Sequence, residues 1–521
     1  MAYHKNKIYY YSIKIFMIDK RASGILIHLT SLPGKHGIGD LGPNAFMFID
    51  FVAASGQSYW QFLPTGPTST AFDNSPYMCR SVFAGNPLLI SLELLQENKY
   101  LTAHDLEDPP EFSEYKTDYP KVSSYKNAMV KKAFENFLNS RPNILFENFC
   151  SSQKEWLDDY ALFMSFREDF NSAPWYEWPE FAARRSGETF TQYVSKNTEK
   201  LLYYKFVQFI FFSQWENLYA HAKAKNISLI GDIPIYVALD SSDVWANQDI
   251  FKINPTTLKP IKVAGVPPDY FSETGQRWGN PVYKWKTTDS KINKKLFDWW
   301  VKRFKHIFSI MDMVKIDHFR GFESFWEIPA HEETAINGKW VKGPGKSFFT
   351  SLKKELKDLP IIAEDLGVIT PPVEKMRDEL GFPGMKILQF AFESDEKNPY
   401  LPHNYEQTNS IVYTGTHDNN TTLGWFMGNE LSDGVRNNIR GYVNCHDDNQ
   451  IITLLIRLAM SSIAGLAIIP MQDILGFGED CRMNIPGTQS GNWRWRCGSR
   501  FFNDEVAKHL LDLTTYYNRL G

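Results

Sequence analysis

The chain has 521 residues, a formal charge of -4, 43% hydrophobic and 22% charged residues. Acidic and basic side chains are interspersed, which leaves no basic field for nucleic acid, and no apolar run approaches the roughly 20 residues that cross a bilayer. The length exceeds the ~250 residues of a plain (β/α)₈ barrel, so one decorated barrel or several domains are expected.

Residues 1–20 read as an N-terminal extension, open to disorder: their lysines and Tyr-rich stretch lack an apolar h-region and a small-residue cleavage site. From residue 21 onward the chain reads as a single decorated catalytic unit. Strand-like runs bounded by turn residues follow at Gly24-Ile-Leu-Ile-His-Leu29, Tyr59-Trp-Gln-Phe-Leu63 and Ser228-Leu-Ile-Gly-Asp-Ile233. Further runs end at Asp317, Glu364, Gln389 and Thr416, and the last is Leu466-Ala-Ile-Ile-Pro-Met-Gln472. Helix-length patterns lie between them, as at Thr370 to Leu380, where Pro371 and Pro372 favour a helix start and Gly381 a stop. Eight strands alternating with helices predict an α/β fold, a (β/α)₈ TIM barrel, rather than an open doubly wound sheet; no G-x-G-x-x-G follows the first run.

Uneven spacing locates two insertions on the C-terminal face. Residues 65–226 contain amphipathic stretches such as Lys126 to Leu138 and Glu199 to Ala222, which predict a helical subdomain. Residues 238–298 predict a lid, because their middle, Gly265 to Pro281, is rich in turn formers and aromatics. The five cysteines are scattered and form no C-x-x-C pair, the pattern of reduced thiols in a cytoplasmic protein.

Three acids stand where apolar runs end in polar residues: Asp317 after Met313-Val-Lys-Ile, Glu364 after Pro360-Ile-Ile-Ala, and Asp418 beyond Ile411-Val-Tyr-Thr-Gly-Thr-His. At the C-terminal ends of parallel strands such acids converge on one cleft and imply acid/base work. Glycosidic cleavage needs a proton for the leaving oxygen and negative charge opposite the oxocarbenium-like centre, supplied by a second acid that becomes the nucleophile when configuration is retained. Barrel enzymes that hold a divalent cation among strand-end carboxylates share this layout, so a metal-dependent reading stays open here. Gly343-Pro-Gly-Lys-Ser347 lacks the earlier glycine of a phosphate-binding loop, and no companion H-x-x-x-H or cysteine cluster supports a metal site.

Long ordered segments resemble one family. They are Ser23 to Gly34, Asn74-Ser-Pro-Tyr77, Gly231-Asp-Ile-Pro-Ile-Tyr-Val237, Gly265 to Pro281, Ile316-Asp-His-Phe-Arg-Gly321, Ala363-Glu-Asp-Leu-Gly367, Thr416-His-Asp-Asn419 and Asn484 to Arg496. Together they are similar to the 4-α-glucanotransferases, or amylomaltases, of glycoside hydrolase family 77. The resemblance implies a retaining barrel enzyme that needs no cofactor or metal and acts on maltooligosaccharides and starch- or glycogen-derived α-glucans. By it Asp317 is the nucleophile, Glu364 the general acid/base and Asp418 the transition-state stabiliser. It also implies that Tyr77 stacks on sugar and that Tyr270 and Phe271 line the acceptor side; Asp232, at the end of its run, is placed with His417 to bind hydroxyls of the sugar at the cleavage site, or else to cap the next helix. One departure stands out: the family usually has Arg two residues before the nucleophile, and this chain has Lys315. Strand alternation puts Lys315 on the side of Asp317, where its charge would hold that carboxylate ionised. A glucan hydrolase and a non-catalytic glucan-binding barrel remain as alternatives, and the sequence leaves the oligomeric state open.

Overall fold

The computed structural model describes Ile18 and residues 20–139, 142–268 and 272–521. Most of the expected N-terminal extension, and Tyr270 and Phe271, lie outside these described residues. Eight parallel strands form the barrel: β1 (Ala22–Leu26), β2 (Tyr59–Gln61), β3 (Ser228–Pro234), β4 (Met313–Asp317), β5 (Ile361–Ala363), β6 (Gly384–Ile387), β7 (Ser410–Tyr413) and β8 (Leu466–Pro470). Hydrogen-bonded neighbours run β6-β7-β8-β1-β2-β3-β4-β5. The ring closes between β5 and β6, where the Ala363 N–H donates to the Pro383 carbonyl at 3.0 Å. Each predicted run overlaps one of these strands, but β1 and β7 begin before their runs, β3 ends one residue beyond its run, and several runs extend past the ladder. Leu388–Phe390 form a 3-10 turn in place of the end of one run.

The pleat sorts side chains between two cores. Leu26, Ile230, Met313, Ile362, Met385 and Ile411 pack together inside the barrel, whereas Leu229, Val314, Ile316 and Ile361 pack into the outer core with Trp300 and Phe304. These strands are buried on both faces, which explains why they read as nearly continuous apolar runs rather than alternating ones. The same alternation sends Asp232, Lys315, Asp317 and Glu364 to the interior side, at the mouth of the barrel.

Among the described residues no strand lies between Gln61 and Ser228. That stretch holds long helices at Tyr119–Leu138, Lys154–Asp169 and Thr198–Ala224. Asp118 caps the first, its side chain accepting the Lys121 N–H. Two buried glutamines on Thr198–Ala224 brace the loop that follows Tyr77. Gln208 accepts the Gly85 N–H at 2.7 Å and donates to the Gly85 carbonyl at 3.0 Å, and Gln214 does the same for Ser91 at 2.7 and 3.0 Å. Asp240, beyond β3, accepts from Arg80 and, at 2.5 Å, from Arg167. This buried cluster ties the loop after β2 to the loop after β3 and to helix Lys154–Asp169.

A second, antiparallel sheet sits beside the barrel, ordered Gln276–Pro281, Lys262–Val266, Ser324–Pro329, Lys339–Lys342. Its first two strands come from the stretch between β3 and β4. The other two follow β4, a region in which sequence patterning identified no element; Trp326 and Trp340 face each other there with ring centroids 5.3 Å apart.

Candidate active site

The site grows from the C-terminal ends of β3, β4, β5 and β7. Asp317 is the last residue of β4, Glu364 follows β5 directly, and Asp232 lies near the end of β3. All three carboxylates meet the Lys315 ammonium, whose side chain is only 3% exposed: Nζ contacts Glu364 Oε2, lies 3.0 Å from Asp232 Oδ2 and 3.5 Å from Asp317 Oδ1. Lys315 therefore does point where Asp317 points, as strand alternation requires, but its closest partner is Glu364 on the neighbouring strand.

Immediately after Asp317 the chain turns through His318 in the left-handed region, φ 54°. This turn lets the His318 N–H donate to Glu364 Oε1 at 3.4 Å. The Trp278 ring meets His318 edge-on, with centroids 4.9 Å apart, so the second sheet reaches the loop after β4. Burial pulls His318 down to about 4, so it is a neutral imidazole near neutral pH.

Tyr77 links two walls of the site. Its hydroxyl donates to Asp232 Oδ2 at 2.8 Å, and its ring stacks on His417 with centroids 5.2 Å apart and planes 15° from parallel. Trp493 supports both rings from behind at 5.9 and 6.0 Å. The strap that carries Trp493 also holds the Tyr77 loop, since the Asn492 N–H donates to Asp73 Oδ2 at 2.9 Å. Burial, and then the Asp232 charge, keep the Tyr77 phenol neutral, well above its ordinary range.

Asp418 lies in the loop beyond β7 and is the most open of the acids, its side chain 49% exposed against 29% for Asp317 and 20% for Glu364. Asn484 donates to its Oδ1 at 2.6 Å, and His417 Nε2 lies 3.2 Å from the same oxygen. Sequence reasoning placed Asn484 in a motif but gave it no role, because no spacing rule connects residue 484 to 418. His28, at the end of β1, was also missed as a wall of this site. Burial, and then the neighbouring His417, push it down to about 3, so it presents a neutral ring.

The electrostatics of the three inner acids differ. Burial raises Asp317 well above the usual carboxylate range, and the nearby Glu364 charge adds to this against the pull of Lys315. Burial also acts upward on Glu364, but the Lys315 ammonium outweighs it and holds that carboxyl below its ordinary value. Asp232 is raised by burial despite Lys315. The set can hold an ion pair and a proton at once, which lets neighbouring carboxyls be ionised and protonated at the same pH. Thus Asp232, Asp317, Glu364, Lys315, Tyr77, His417 and Asp418 form one continuous cluster.

Fold and site together define a (β/α)₈ barrel with carboxylates gathered at the C-terminal strand ends, where enzymes of this fold carry their active sites. Residues 27–500 match the model of the glycoside hydrolase family 77, described as 4-alpha-glucanotransferase. The chain is 51% identical over 510 residues to a 4-alpha-glucanotransferase of Synechocystis sp., covering 96% of this chain and 99% of that one. It is 45% identical over 495 residues to the Clostridium butyricum 4-alpha-glucanotransferase, covering 95% and 100%. Amylomaltase from Streptococcus agalactiae, solved in complex with acarbose, superposes with a TM-score of 0.91 at 37% identity, covering 96% of this chain and all of that one. The chain belongs to glycoside hydrolase family 77, the 4-alpha-glucanotransferases.

Proposed function

We propose that this chain transfers a segment of an α-1,4-glucan to the 4-hydroxyl of another glucan or of glucose, by a retaining double displacement in which Asp317 is the nucleophile. Asp317 attacks the anomeric carbon while Glu364 protonates the leaving glucan oxygen. Glu364 then takes the proton from the acceptor 4-hydroxyl as that oxygen attacks the glycosyl-enzyme. Asp418 and Asp232 bind sugar hydroxyls and stabilise the positively charged transition state, with Tyr77 and His417 forming the stacking wall. Tyr270 and Phe271 are assigned to the acceptor side on sequence resemblance alone. The reading extends to maltooligosaccharides and starch- or glycogen-derived glucans as substrates, and the scattered cysteines, without a C-x-x-C pair, support action in the cytoplasm.

The single observation that carries the mechanism is the convergence of Asp317 and Glu364 on one ammonium. Two oxygens bound to the same Nζ lie at most about 6 Å apart, which is compatible with the roughly 5–5.5 Å of retaining pairs and short of the roughly 6.5–9.5 Å of inverting ones.

Trapping tests it. Glu364→Gln incubated with α-maltotriosyl fluoride should form the intermediate, since fluoride leaves without a strong acid, but should resolve it slowly because the base is gone. Mass spectrometry of the digested protein should find a maltotriosyl adduct on the peptide containing Asp317. An adduct on another carboxylate, or release of free sugar at the parent rate, would contradict the assignment.

A further inference from the structure

Asp232, Asp317 and Glu364 surround one ammonium, so with every group ionised the pocket would hold two uncompensated negative charges. A low-dielectric site relieves such an excess by binding a proton. Which acid takes it follows from how the donors are distributed. Asp232 Oδ2 accepts the Tyr77 hydroxyl at 2.8 Å and has Lys315 at 3.0 Å. Glu364 accepts from Lys315 on one oxygen and from the His318 N–H at 3.4 Å on the other. Asp317 has, among the described residues, only the distant Lys315 contact at 3.5 Å. The other groups facing the pocket deepen this imbalance: His318 and Tyr77 are neutral, Tyr413 donates to Gln61 at 2.8 Å, the His417 ring favours the charged forms of Asp232 and Glu364, and Asp418 adds negative charge near Asp317.

We propose that in the unliganded enzyme the catalytic proton rests on Asp317, and that Lys315 is the positioning residue whose shift from Glu364 to Asp317 arms the pair when a glucan enters. This rests on the roles assigned above to Asp317 and Glu364. In the step, the Asp317 O–H bond breaks and a Glu364 O–H bond forms. Lys315 keeps its three protons and the pocket keeps its net charge. Glucan hydroxyls supply the trigger, because they bring new donors to Asp232 and Asp317 and loosen the hold of Lys315 on the Asp232–Glu364 side. Resting and armed forms carry the same number of protons, so pH does not alter their ratio; the placement of the cation does. A lysine suits this arrangement because it is a point charge on a flexible stem, whereas the fork of an arginine would bond two carboxylates at once.

Neutron diffraction from the full-length unliganded protein exchanged into D₂O at neutral pD locates the proton directly. The expected result is a deuteron on the Asp317 carboxyl and none on Glu364 or Asp232. A deuteron on Glu364 or Asp232, or on none of the three, overturns the proposal. The role of Lys315 is read from Lys315→Arg, whose fork can hold Asp317 and Glu364 together. It should raise kcat/KM through a lower KM with kcat little changed, about tenfold for each pKa unit by which it favours ionised Asp317 in the free enzyme. A folded Lys315→Arg enzyme with unchanged or lower kcat/KM overturns the shift. These outcomes are separable from the function itself: an enzyme that transfers glucan with its deuteron on Glu364 refutes only this inference, and one with the deuteron on Asp317 that transfers nothing refutes only the assigned reaction.

Discussion

At the scale of single residues, the account turns on groups whose value lies in the transition state rather than in packing. Asp317→Asn, Glu364→Gln and Asp418→Asn should each lose most turnover on maltotriose while unfolding at nearly the parent temperature, since loss of acid/base assistance alone is worth about 10²–10⁴-fold. Near-parent transfer by any one of them would remove it from the mechanism. Lys315 behaves differently because it is structural and electrostatic at once. Lys315→Met removes the cation that holds Glu364 below its ordinary value, so the acid limb of the kcat/KM profile should move to higher pH. Without the ammonium, the clustered acids stay protonated in the fold at a pH where they ionise in the unfolded chain. Groups raised in this way contribute stability below the unfolded value and lose it as pH rises through the folded one. Thermal unfolding of Lys315→Met should therefore fall further below the parent at pH 8 than at pH 5. An equal deficit at both would mean that Lys315 does not balance these acids. The three strand-end acids and the shared face of residues 315 and 317 were legible from period-2 alternation. The preference of Lys315 for Glu364 was not, because it depends on the distance between two adjacent strands, which no single run of sequence encodes.

At the scale of elements, the site depends on loops fixed by buried polar anchors. The Tyr77 loop is held to the loop after β3 through the Arg80–Asp240–Arg167 cluster and to the C-terminal strap through Asp73. Asp240→Asn leaves two buried guanidiniums with a neutral partner, and breaking a buried ion pair in this way costs about 3–5 kcal/mol. Urea unfolding should report a loss of that order, and KM for maltotriose should rise as Tyr77 loses its support. A variant as stable as the parent would show the cluster to be replaceable. Elements were read well where patterns were long. Thr370 to Leu380 is a helix at Pro371–Leu380, and Gly381 adopts the left-handed conformation that ends it. Strand ends were read less well, since Leu388 and Phe390 continue the apolar run after the hydrogen-bond ladder has stopped. The strands Ser324–Pro329 and Lys339–Lys342 went unread because short antiparallel strands take their meaning from a partner far away in sequence, here Lys262–Val266.

At the scale of the molecule, the barrel supplies a rigid ring, while the helical insertion and the second sheet shape its open end. The ring was legible because buried parallel strands leave nearly continuous apolar runs, eight in number, with helix patterns between several of them. Its closure, where the Ala363 N–H meets the Pro383 carbonyl, was not, since it joins runs that sequence alone leaves unpaired. For function the whole assembly matters more than the acids alone. Hydrolysis and transfer share the same first step, and the outcome is decided by whether a sugar or water reaches the glycosyl-enzyme, a matter of what the surrounding loops admit. Incubation with maltotriose, followed by separation of the products and measurement of total reducing ends, addresses that claim most directly. Transfer predicts glucose together with a ladder of longer maltooligosaccharides while reducing ends stay nearly constant. A steady rise in reducing ends without products longer than maltotriose would contradict it and make the chain a hydrolase.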